Sequence, residues 1–112
     1  MNNAKYDQKI KMALDSILLG IQGVTPGKMF GYPAYYIGKK LFACVYEEGV
    51  GIKVPEDIAK KLIGSEGIIS FQPMGRAKMR EWIQINRQDS NDYRKDKEIL
   101  MASIEYVSKS AH

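Results

Sequence analysis

The sequence predicts an α+β fold: an antiparallel sheet of about five strands with flanking helices, in the order α-βββ-α-ββ-α. Three observations carry this prediction. An apolar repeat of helical period lies near the start, aromatic and β-branched residues punctuated by glycine turns follow Met29, and a second helical repeat closes the chain. At 112 residues with 45% hydrophobic content, the chain has the size and composition of one folded domain over residues 1–112.

Residues 4–22 place Tyr6, Ile10, Ala13, Leu14, Ile17, Leu18 and Ile21 at spacings of three and four, with Lys5, Lys9, Lys11, Asp15 and Gln22 elsewhere. This amphipathic helix must end by "GVTPG", where Gly23 and Gly27 favour other conformations and Pro26 disfavours a helical Thr25. From Met29, "MFGYPAYYIGKKLFACVYEEGVGIKV" reads as three strands joined by turns at "GKK" and "EEG", with Gly38 and Gly49 supplying the positive φ that such turns require. Pro33 lacks an N–H, so the first of these strands is expected at a sheet edge or broken at that point.

"PEDIAKKLIG" reads as a short helix, with Pro55 in its first turn, Glu56 and Asp57 at the positive end, Lys60 and Lys61 at the negative end, and Gly64 as its stop. Two strands are expected over residues 68–72 and 79–86. A last helix begins with Asp89 or Ser90 as its cap and presents Tyr93, Leu100, Ile104 and Val107 on one face.

Chemistry-bearing groups are few. His112 is the single histidine and ends the sequence, and no HExxH, CxxC or Asp-rich loop offers metal-ligand spacing, so neither a histidine-based mechanism nor a metal site is expected, and an enzyme or small-molecule binder would have to use Tyr, Lys or carboxylate chemistry in a pocket between sheet and helix. Glu47 and Glu48 fall at a turn and read as solvated rather than as an acid–base pair. Cys44 is the lone cysteine, which precludes an internal disulfide, suits a reducing cytoplasm, and reads as a small buried hydrophobe. Phe30, Tyr32, Tyr35, Tyr36 and Phe42 fit a base-stacking platform or, more commonly, sheet packing against helices. No apolar run is long enough for a bilayer, and "MNNAKYDQKIKMAL" lacks the apolar stretch of a signal peptide.

The net charge of +4 is uneven. Residues 39–66 balance five lysines against five carboxylates, whereas residues 74–87 carry Arg76, Lys78, Arg80 and Arg87 against Glu81 alone. If "GRAKMREWIQIN" is extended throughout, Arg76, Lys78, Arg80, Trp82, Gln84 and Asn86 share one face, and Ala77, Met79, Ile83 and Ile85 the other. The polar face is then either a solvated strand surface or an anion or nucleic-acid contact using Arg76, Lys78, Arg80 and Arg87, with Trp82 for stacking and Lys39 and Lys40 as further cations.

Three blocks in order carry a family resemblance: Met29-Phe30-Gly31; Gly38-Lys39 leading to Phe42-Ala43; and Gly75-Arg76 with Met79-Arg80 and Trp82. On these the sequence resembles the N-terminal domain of the TfoX/Sxy family, over nearly its whole length. The resemblance implies an α+β domain, a bacterial setting connected with competence regulation, no enzyme activity and no cofactor. It also implies a stand-alone version, since members of the full-length type carry a further helical domain. The expected function is therefore a small cytoplasmic, non-catalytic regulatory or binding module with a protein partner or a second copy of itself. The alternative is a nucleic-acid-binding protein that uses the basic strand face.

Overall fold

The computed structural model describes residues 5–109 and shows an α+β architecture with a six-stranded, wholly antiparallel sheet. In chain order the elements are α1 (Gln8–Leu18), β1 (Val24–Met29), β2 (Tyr32–Ile37), β3 (Lys40–Tyr46), β4 (Gly49–Lys53), α2 (Glu56–Leu62), β5 (Ile68–Ser70), β6 (Trp82–Ile85) and α3 (Lys97–Ser108). Short 3₁₀ segments lie at Pro73–Gly75 and Ser90–Asp96. His112 and residue 4 of the expected first helix lie outside the described residues.

The strands order as β1-β2-β3-β4-β6-β5, so β6 inserts between β4 and β5. All three helices cover one face. There Ile10, Leu14 and Leu18 of α1 and Leu100, Ile104 and Val107 of α3 pack on Tyr35, Phe42, Val45, Ile52, Ile83 and Ile85 of the sheet. Asp7 caps α1 by accepting from the Lys9 N–H at 2.8 Å. Asp89 does the same through Asn91 at the position the sequence leads one to expect, but the segment it caps, Ser90–Asp96, is 3₁₀ and the α-helix starts only at Lys97.

A bulge in β3 lets two consecutive residues face the helices. The register runs Tyr35↔Ala43 and then Tyr36↔Leu41, leaving Phe42 as the extra residue. The buried Ser103 hydroxyl of α3 donates to the Phe42 carbonyl at 3.3 Å, satisfying the acceptor at the bulge.

Four expectations need correction. The sheet has a sixth strand, β1, in "VTPGKM", whose Gly and Pro content reads as a loop; pairing across the two-residue turn at Phe30 and Gly31 overrides that local preference. Pro33 accordingly lies in an inner strand, just beyond the last β2–β3 pair Ala34↔Cys44, where a missing N–H forfeits no paired position. At the third hairpin, Glu47 takes the left-handed conformation (φ 52°) in place of Gly49. Finally, β6 is confined to Trp82–Ile85, so residues 79–81 are not strand.

The edge formed by β1 is blunted. Its hairpin register points the backbone of Pro26 outward, where proline offers no donor. The Tyr36 ring lies over Gly27, where a Cβ would sit 2.7 Å from the ring, and its hydroxyl donates to the Lys28 carbonyl at 3.1 Å.

Candidate functional site

The second face of the sheet carries no α-helix among the described residues. Tyr32, Ala34, Cys44, Tyr46, Phe71 and Trp82 form a core cluster there, and the β5–β6 connection, residues 71–81, lies across it. Phe71 is the plug. Its ring meets Tyr46 edge-on at 5.6 Å and Trp82 at 5.4 Å, and it presses on Gly51, where any Cβ would come within 2.8 Å of it. The connection is pinned by its backbone: the Tyr46 hydroxyl accepts from the Met74 N–H at 2.7 Å, and the Phe71 carbonyl accepts from the Met79 N–H at 3.2 Å.

This covering layer rearranges the basic strip. Strand alternation begins only at Trp82, so Arg76, Lys78 and Arg80 leave the connection separately rather than as one row with Trp82, Gln84 and Asn86. Trp82 is 7% exposed with its ring against Phe71, and Gln84 is buried. Met79 packs with the Trp82 cluster, on the opposite face from Ile83 and Ile85. The expected grouping on both faces of that stretch is therefore corrected, because a central strand covered on both sides has no wet face.

Arg87 follows β6 and is committed to the fold. Its guanidinium donates to both Asp96 carboxylate oxygens, at 3.0 and 2.7 Å, and to the Glu66 carbonyl at 2.9 Å. The Asp96 hydrogen bond holds its pKa above the ordinary arginine value despite partial desolvation. Lys39 and Lys40 sit at the β2–β3 turn, at the opposite end of β2 from Phe30 and Gly31.

The three remaining cations divide between two depressions on either side of the connection. In the first, Arg76 places its guanidinium carbon 5.9 Å from the centre of the Phe30 ring, and the depression is walled by Met29, Leu41, Met74 and Met79. In the second, of about 470 Å³, Lys78 and Arg80 face α2 across a floor of Ala59, Ile63 and Met79. Lys60 there pairs with Glu56 at 3.5 Å, while neither Lys78 nor Arg80 has an intramolecular hydrogen bond or ion pair among the described residues.

The sequence reading placed Phe30 only in a possible base-stacking platform or the sheet packing, and it passed over Met74. Both adopt the left-handed conformation, φ 51° and 54°, that side chains rarely take. Both are also among the most exposed large apolar residues, at 59% and 48%. A signal for Phe30 was present: "MFGY" puts phenylalanine at the first centre of a two-residue hairpin turn, where Asn or Gly is usual. Met74 gave none: it lies in an irregular connection whose backbone meets the distant Tyr46 hydroxyl, a contact no local pattern announces.

Cys44 is fully buried, and burial pushes its thiol up to about 12, so it is not a nucleophile. Among the described residues no cluster of His, Cys, Asp and Glu could hold a metal ion, and no helix is long and apolar enough to cross a membrane. The fold and this surface define a two-layer α+β domain with a loop-covered rear sheet face and a basic, apolar rim. No family model, no curated protein and no solved structure matches the chain.

Proposed function

We propose that the chain is a small non-catalytic regulatory or binding module of the kind its resemblance to the TfoX N-terminal domain implies, acting in the cytoplasm. Its partner is another protein, engaged at the depression between the β1–β2 turn and the β5–β6 connection. One observation carries the reading: two large apolar residues, Phe30 and Met74, are held in left-handed backbone conformations and turned to solvent around the same depression. Strained backbone that exposes apolar surface opposes stability on two counts, and such conflicts concentrate at functional surfaces.

The test is affinity capture from extracts of the source cells with the wild-type chain, Phe30→Asn and Met74→Gly. Proteins retained by the wild type are expected to be lost from both variants, while both keep a melting temperature at or above that of the wild type. Retention unchanged by either substitution overturns the reading.

Lys78 and Arg80, which have no ion pair among the described residues, favour nucleic-acid binding as a second reading. It requires oligonucleotide affinity that falls steeply with salt and is lost in Arg76→Ala plus Arg80→Ala.

A further inference from the structure

We infer that the partner presents an acidic segment with one large apolar anchor, the anchor entering the Phe30–Met74 depression and the carboxylates reaching Lys78 and Arg80. This rests on the protein-binding reading above and names the chemistry of the occupant.

Charge selects the acid. Of the carboxylates nearest the connection, Glu81 accepts from the Tyr106 hydroxyl at 2.8 Å and Glu56 is paired with Lys60. The connection carries Arg76, Lys78 and Arg80, all solvent-exposed, against Glu81 alone, and no ion pair of Lys78 or Arg80 occurs among the described residues, so the rim keeps an excess of positive charge. Complementary charge at a rim raises association rate and rejects basic partners.

Shape selects the anchor. The first depression is walled by three methionines and a leucine, side chains that repack around an aliphatic or aromatic group of varied outline. Its aromatic ring already has a guanidinium over it, and the other ring of the strip, Trp82, is buried. A run of stacked nucleotide bases would need ring faces that this surface does not offer.

Met79 lines both depressions, and residues 76 and 80 are separated by four chain steps, roughly 14 Å at full extension. Anchor and acid therefore lie close in the partner's sequence, about four residues apart if the segment is extended.

The experiment selects phage-displayed random peptides on the immobilised full chain, then measures synthetic copies of the winners by fluorescence anisotropy. Selected peptides are expected to combine a large apolar residue with Asp or Glu within that spacing. Their affinity is expected to fall roughly tenfold or more both in Phe30→Asn and in Lys78→Glu plus Arg80→Glu, and to weaken as salt rises. Peptides that depend on Phe30 but carry no acidic bias, and that ignore the charge reversal, overturn the acidic-partner inference and leave the protein-binding reading standing. Peptides indifferent to Phe30→Asn, or none selected, overturn both. Oligothymidine binding abolished by the charge reversal and not competed by peptide assigns the surface to nucleic acid, and self-association abolished by Phe30→Asn assigns it to a second copy; either result overturns the inference.

Discussion

Asp96 is only 4% exposed, so its carboxylate depends on Arg87, which is itself largely withdrawn from solvent and donates to both of its oxygens. Removing one member of such a pair leaves an uncompensated buried charge. Arg87→Met is expected to lower unfolding free energy by about 3 kcal/mol in urea denaturation, and Arg87→Lys to recover only part of it, because an ammonium cannot reproduce the fork. The opposite sign is expected at Phe30. Relief of a left-handed backbone amounts to about 1–2 kcal/mol, and loss of an exposed cation–π contact costs about 0.5–1 kcal/mol. Phe30→Asn should therefore stabilise, raising the melting temperature by roughly 2–4 °C in calorimetry. A fall in melting temperature would mean that the phenyl group serves the fold rather than a contact.

At the scale of elements, the edge strand and the rear connection decide what the sheet can meet. β1 has three protections: the donorless outward position at Pro26, the Tyr36 ring over Gly27, and the Tyr36 hydroxyl on the Lys28 carbonyl. Opening the edge with Pro26→Thr plus Tyr36→Phe is expected to produce concentration-dependent self-association in sedimentation experiments, absent from the wild type at the same concentrations. The helices were legible because their signals are local: the apolar period of α1 and α3, the Asp89 cap, and the charge order of α2. β1 was not, because "VTPGKM" becomes a strand only by pairing with β2. The candidate site was half legible. Arg76, Lys78 and Arg80 stand at its rim, but their division between two depressions follows from Phe71 docking over Gly51, a contact between residues twenty positions apart in chain order.

For the whole molecule, the interior holds acidic hydrogens that must stay in place. Burial pushes Cys44 and Tyr93 up to about 12, and raises Tyr35 further still, aided by its 2.6 Å bond to Asp15. Each folded-state pKa exceeds the unfolded value, so the folded chain binds more protons at alkaline pH. Stability is then full below about pH 9, where Cys44 begins to ionise in the unfolded chain, and is lost as pH rises toward 12. The expected slope is about 1.4 kcal/mol per pH unit for each group in its window, measurable as a falling urea midpoint. Cys44→Ala should flatten the first part of that fall. A thiol reagent at pH 8 should label Cys44 only at the rate of unfolding, and fast labelling of the native chain would contradict its burial.

By itself the sequence determined the α+β class, the three helices and the β2–β4 meander, since each rests on periodicity, turn chemistry or composition that acts over a few residues. It also marked "GRAKMREW" as the chain's concentration of positive charge. The tertiary structure alone decided that β6 lies between β4 and β5, that Trp82 is buried while Phe30 and Met74 are not, and that Arg87 belongs to the fold. Those outcomes depend on which distant segments exclude water from one another, and the residues of a single stretch carry no record of what will come to cover them.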